Sequence, residues 1–154
     1  MKAAYDALDI RILNVLREDA TLGYNEISKR VKSPPTTVFQ RVKRMKDREI
    51  IKKIVPLIDH EKLDYRMTAF VMIAITDIRE LDRIAKELSK LDEVLDVHHV
   101  SGDSDILLKI KVRDSKELRD FEVEKVGAIR GIRAVSTVVS LGIYKEEHSV
   151  KLRV

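Results

Sequence analysis

The chain has no cysteine, which excludes disulfides, thiolate nucleophiles and cysteine-based zinc sites. No run comes near the roughly 18 apolar residues that mark a membrane-crossing helix. The opening Met1-Lys2-Ala3-Ala4-Tyr5-Asp6 lacks the apolar core of a signal peptide, so the expected location is the cytoplasm. There is no His-Glu-x-x-His pattern, no phosphate-binding glycine loop and no nucleophile elbow. Histidine is scarce, and the one adjacent pair, His98-His99, falls in an expected strand. Neighbours on a strand point to opposite faces, so the two cannot serve one metal there. His60 and His148 fall in an expected linker and tail. The expectation is a chain without catalytic residues, metal or cofactor, and not an enzyme.

What is present is charge and a modest apolar core. Of 154 residues, 44% are apolar and 36% charged, which suits two small globular domains or one of medium size. The net charge of +4 is uneven. Residues 1–63 hold 14 Lys/Arg against 9 Asp/Glu, whereas the remainder is close to balanced, with 16 against 17. Between Lys29 and Lys53 there are 10 basic residues and only Asp47 and Glu49 as acids. So dense a patch favours a polyanion through counterion release, and the asymmetry implies two domains with different work.

The basic patch centres on one helix. In Ser33-Pro34-Pro35-Thr36-Thr37-Val38-Phe39-Gln40-Arg41-Val42-Lys43-Arg44-Met45-Lys46, the residues Val38, Val42 and Met45 form an apolar stripe at helical spacing. Thr37, Gln40, Arg41 and Arg44 lie on the other side, with Thr36 and Lys43 beside them. Ser33 or Pro34 can open the helix, since serine caps and proline fits a first turn. Small hydroxyls at the start and cationic groups further along suit a helix that enters a DNA major groove. A solvated basic face is the plainer alternative.

The surroundings favour DNA. A first helix is expected from about Asp6 to Glu18, with Asp6 as cap and Leu8, Ile12, Val15 and Leu16 inward. A second is expected from about Tyr24 to Val31, with Glu26 reaching back to Gly23 and Ile27 and Val31 inward. Two short helices joined by a tight turn behind a first helix make a helix-turn-helix unit. Ile50–Ile58 reads as a strand or small wing, at an edge because of Pro56. Residues 59–66 read as a linker. Thereafter a strand (68–75), helix (79–91), strand (94–100), strand (105–112), helix (115–128) and strand (134–141) follow in the order β-α-β-β-α-β. That is the split βαβ of ferredoxin-like folds. Leu91–Val97 echoes Ile129–Val135. The fold class expected is therefore α+β, with a winged helix-turn-helix domain at 1–58 and a ferredoxin-like domain at 67–154. The tail, 145–154, alternates weakly and could add an edge strand or meet another subunit. Residues 69–75 are apolar without alternation, and two helices cover only one sheet face. The other face calls for a second copy of the chain, giving a homodimer.

These residues resemble the leucine-responsive/asparagine-regulator (Lrp/AsnC, feast/famine) family of bacterial and archaeal transcription regulators over nearly the whole chain. The match runs through Leu8-Asp9-Ile10-Arg11-Ile12-Leu13, Glu26-Ile27, Thr37 to Met45 and Ile50-Ile51. It continues through Val100-Ser101-Gly102-Asp103-Ser104-Asp105-Ile106-Leu107-Leu108 and Ser136-Thr137-Val138-Val139. The resemblance implies that the first domain binds palindromic double-stranded operator DNA, through Thr36, Thr37, Gln40, Arg41, Lys43 and Arg44. Of these, Gln40 could pair with adenine, and Arg41 or Arg44 with guanine or phosphate. Arg41 could equally brace the fold. The resemblance also implies a second domain that senses a small molecule, an amino acid in particular, and assembles dimers into octamers. Ser101, Gly102, Asp103, Asp105 and Thr137 would then form the effector site, the carboxylates holding an α-ammonium group. Gly-Asp-Ser-Asp is also a good hairpin turn in any β protein. The sequence departs from the family where Lys32 and Glu49 stand in place of glycine, and Pro34 in place of a capping serine. Two other readings stay open: a metabolite-binding module without DNA binding, and a decarboxylase acting on a sirohaem-like tetrapyrrole, which would use His98 or His99 with Arg133.

Overall fold

The structure, a computed structural model, describes residues 5–153. They form two compact units. The first takes the chain up to Leu57 together with the segment from Lys145 onward, and the second takes Ile58–Tyr144.

In the first unit α1 spans Ala7–Glu18, α2 Tyr24–Val31 and α3 Pro35–Asp47. The α1 start is a reciprocal capping box. Asp6 accepts from the N–H groups of Leu8 and Asp9 at 3.0 and 3.1 Å, and the Asp9 carboxylate accepts from the Asp6 N–H at 3.0 Å. At α2 the Glu26 carboxylate accepts from the Gly23 N–H at 3.2 Å. Ile12, Ile27, Val31, Val38, Val42 and Met45 form the buried core, and Leu8, Val15, Leu16, Ile50 and Ile51 pack against it. Every apolar position expected to face inward on these helices does so.

Both helices that lack a C-terminal glycine still end in the way glycine favours. Lys32 has φ +54 and Glu49 has φ +55. After α2 the Ser33 N–H donates to the Ser28 carbonyl at 3.1 Å, and after α3 the Ile50 N–H donates to the Met45 carbonyl at 2.9 Å. Each closes the wide loop of a Schellman turn, and Ile50 supplies its apolar contact with the core. A side chain with a Cβ holds the left-handed conformation at both places, which costs about 1 kcal/mol relative to glycine.

Residues 50–58 do not form the expected strand. A strand needs a hydrogen-bonded neighbour. The only sheet among the described residues is built from four strands elsewhere, and Pro56 lacks an N–H. Ile54, Val55, Leu57 and Ile58 are left exposed. The tail, assigned by its sequence position to the second domain, belongs with the first unit. The Asn14 amide donates to the Leu152 carbonyl at 2.9 Å and accepts from the Leu152 N–H at 3.0 Å, and Arg17 pairs with Glu147 at 3.0 Å.

The second unit contains β1 (Met67–Ile75), α4 (Leu81–Leu88), β2 (Val94–His99), β3 (Ile106–Val112), α5 (Ser115–Asp120) and β4 (Ile132–Val139). The strand order is β2-β3-β1-β4, antiparallel throughout. This is the expected split βαβ. Ala69, Val71, Ile73 and Ile75 of β1 pack with Ile106, Leu108, Ile110 and Val112 of β3 under Ile84, Leu88, Phe121 and Val126. The opposite face of β1 carries Thr68, Phe70, Met72 and Ala74.

One local feature was not expected. The helix begun by α5 widens at Phe121–Val126 into a π turn, where the Gly127 N–H donates to the Glu122 carbonyl at 2.9 Å. The five-residue spacing of Phe121 and Val126 matches this i→i+5 pitch, so both side chains reach the core. Gly127 is required there, because an added Cβ would lie 2.5 Å from the Val123 carbonyl oxygen.

Candidate nucleic-acid interface and effector turn

α3 starts on two prolines. Pro34 is its N-cap and Pro35 its first residue, and no side chain caps the first turn. Proline supplies the right φ and has no N–H to satisfy, so the start is preorganised. Thr36, Gln40 and Lys43, at spacings of four and three, form an exposed row on the side away from the core.

Thr37, Arg41 and Arg44 form a second row that is only half-exposed. The two arginines converge on Asp9, whose side chain is wholly buried. Arg44 Nη2 donates to Asp9 Oδ2 at 2.6 Å, and Arg41 Nη1 donates to the same oxygen at 3.2 Å. Arg41 also makes a close ion pair with Asp6. That pair holds the Asp6 carboxyl below its ordinary range and raises the Arg41 guanidinium, each chiefly through the hydrogen bond between them. A buried carboxylate is tolerable only when paired and hydrogen-bonded, and here two guanidinium groups and a backbone N–H meet that condition. The arginines thus tie α3 to the start of α1, the bracing alternative considered for Arg41. Asp9 was not singled out from the sequence. The Asp6-x-x-Asp9 spacing is the signal that could have found it, as a capping box.

Phe39 stands outside the apolar stripe. Its ring meets the Tyr24 ring edge-on, with centroids 5.3 Å apart.

In the second unit Gly102, at φ +118, lies in the turn between β2 and β3, and Ser101, Gly102 and Asp103 are exposed. Asp105 is committed to the backbone. Its N–H donates to the Ile73 carbonyl at 2.9 Å, and its Oδ2 accepts from the Ile75 N–H at 2.8 Å. Thr137 is not brought to this turn. It pairs with Val71 on β4, so β1 lies between it and the turn. Strand spacing and rise put the separation on the order of 14 Å. Thr137 Oγ1 bonds instead to the Glu122 carboxylate, beside the π turn.

A cavity of about 420 Å³ lies elsewhere in this unit, lined by Glu93, Arg113, Glu117, Phe121 and Lys125 among others. Four of the charges lining it pair with each other, Arg113 with Glu117 and Lys125 with Glu93. Among the described residues no cluster of histidine and acidic side chains could hold a metal ion, and no helix is long and apolar enough to cross a membrane.

Comparison with known proteins gives a consistent picture. Residues 68–150 match the model of the Lrp/AsnC ligand binding domain, and residues 5–52 match a winged helix-turn-helix DNA-binding model. The chain is 31% identical to the HTH-type transcriptional regulator FL11 of Pyrococcus furiosus over 146 residues, 95% of each chain. An AsnC family transcriptional regulator from Agrobacterium tumefaciens superposes with a TM-score of 0.88 at 30% identity, over 95% of this chain and 96% of that one. A transcriptional regulator from Neisseria meningitidis, solved as its L-Met complex, also reaches 0.88, at 26% identity and the same coverage.

Proposed function

Because the chain belongs to the Lrp/AsnC family of DNA-binding transcriptional regulators, we propose that it reads a palindromic operator with one α3 from each of two protomers. The observation that carries this reading is the exposed row Thr36, Gln40 and Lys43, on a preorganised helix within the most basic stretch of the chain. Thr36 and Gln40 are the base-edge candidates, Gln40 for adenine. Lys43 suits phosphate. Thr37, Arg41 and Arg44 flank the row. The arginines set the angle of α3 through Asp9 and, being partly exposed, are within reach of phosphate.

Two protomers are needed, since one helix covers only a few base pairs. The uncovered sheet face, with Phe70, Met72 and Val138 partly exposed, supports a homodimer closed face to face, and dimers assemble further into octamers. The effector is an amino acid bound at the Ser101–Asp103 turn between protomers, with Asp103 taking its α-ammonium group. The L-Met complex of the Neisseria relative supports that ligand class. Asp105 shapes the turn, and Thr137, held by Glu122, takes no part in it. A regulator of DNA works in the cytoplasm. The relatives compared are regulators of transcription, and the decarboxylase reading falls away.

Titration of the purified protein against the DNA upstream of its own gene, across a range of salt, tests this. The expected result is a discrete protected palindrome, with affinity that falls steeply as salt rises. Affinity equal to that for random DNA would overturn it. Calorimetry across the amino acids tests the sensor, and no heat at millimolar ligand would overturn that part.

A further inference from the structure

Two aromatic rings on the α3 side of the first unit are left in water. Phe39 is 48% exposed and Tyr24 39%. Neither belongs to the buried core of that unit. Phe39 sits three residues after Thr36 and four before Lys43, so its ring borders the exposed row. Tyr24, in the first turn of α2, meets that ring at an interplanar angle of 83°. Edge-to-face contact is a preferred geometry for two rings, and it keeps Phe39 from folding away.

The neighbours decide what such a ring can meet. Lys43 and Lys46 are exposed beside it. An apolar protein surface would leave both ammonium groups without counter-charge. A DNA major groove supplies phosphates for the lysines and, on its floor, one apolar group, the 5-methyl of thymine. Cytosine has no such methyl, so a fixed ring there distinguishes the two pyrimidines.

We infer that Phe39, braced by Tyr24, is a specificity residue that contacts a thymine 5-methyl group next to the base pair met by Thr36 or Gln40. This rests on the DNA reading proposed above.

The test uses the full-length protein and a duplex that it enriches from random sequence. Each thymine of that site is replaced in turn by deoxyuridine, which removes the methyl group alone. One position per half-site should weaken binding about fourfold, the worth of one buried methyl. Phe39→Ala removes the contact in both half-sites, so it should weaken binding to the intact site about sixteenfold and become indifferent to deoxyuridine at that position. Wild-type affinity unchanged by deoxyuridine at every thymine would overturn the inference while leaving the operator reading intact. So would a Phe39→Ala variant that keeps the fourfold discrimination. A wild-type protein that enriches no sequence at all would overturn both.

Discussion

The two units solve opposite problems. The second is organised around apolar side chains. Twelve buried residues from two strands and two helices form one continuous cluster, and apart from Lys125 with Glu93 the ion pairs around it, such as Arg113 with Glu117 and Arg83 with Glu87, span about one helical turn or less. The first has only six buried apolar residues at its centre. It adds a charge cluster in which Asp9 of α1 holds two arginines from α3. A unit that must present a polar, cationic helix to a partner cannot bury most of that helix. It fixes the helix with a narrow apolar stripe on one side and paired charges on another. The contrast shows why the same residue type means different things in the two halves. Arg79 in the second unit pairs at the surface with Asp77, two residues away, while Arg41 holds an element in place.

Asp9→Ala should break this contrast most severely. It leaves two guanidinium groups without their buried partner and removes half of the capping box, a loss of about 3 kcal/mol. Hydrogen exchange should show the loss in α1 and α3 and leave the β-sheet protected. Equal loss in both units would refute the division of labour. Gly127→Ala is the mirror experiment. The added methyl meets the Val123 carbonyl at 2.5 Å, and relief by shifting the π turn should cost about 2 kcal/mol. Here the sheet unit should lose exchange protection, with α1 to α3 unchanged.

Lys32→Gly and Glu49→Gly should each stabilise the first unit by up to about 0.5 kcal/mol, the left-handed penalty less the entropy that glycine adds to the unfolded chain. A thermal melt in which both lower the midpoint would contradict the strain described at these turns.

The smallest effect concerns acid. Asp6 titrates below its ordinary 3.8 because Arg41 donates to it. A lowered folded value means that its stabilisation is complete above 3.8 and is lost as the pH falls through that folded value. Asp6→Asn keeps a competent cap and should flatten this acid limb in the first unit alone. The acid limb of the second unit, to which Glu117 contributes below its ordinary 4.5 through Arg113, should not move.

Much of the fold was legible because apolar spacing reports it directly. Val38, Val42 and Met45 fall on one side of a helix in any context, and β-α-β-β-α-β order with antiparallel neighbours leaves few sheets to consider. What the spacing could not report depends on partners distant in sequence. Asp9 reads as a solvated acid until Arg41 and Arg44, more than thirty residues on, are folded against it. Residues 50–58 have strand composition, but composition does not supply a neighbouring strand. Thr137 and the Gly102 turn share a motif-level resemblance, yet β1 separates them within one chain. The π turn shows only as a five-residue interval between Phe121 and Val126, which an α-helical template passes over. Phe39 read as one more helix residue, and only its exposure beside Tyr24 sets it apart.

The Asn14 amide clasps Leu152 from 138 residues away. The first unit is therefore discontinuous along the chain, with the second unit inserted into it. During synthesis α1 leaves the ribosome early, and the segment that it clasps leaves roughly ten seconds later at ordinary elongation rates. The helix-turn-helix core can close in the interval, but its tail contacts cannot. A nascent chain thus passes through a stage in which α1, α2 and α3 can pack on one another while Asn14 and Arg17 still face water.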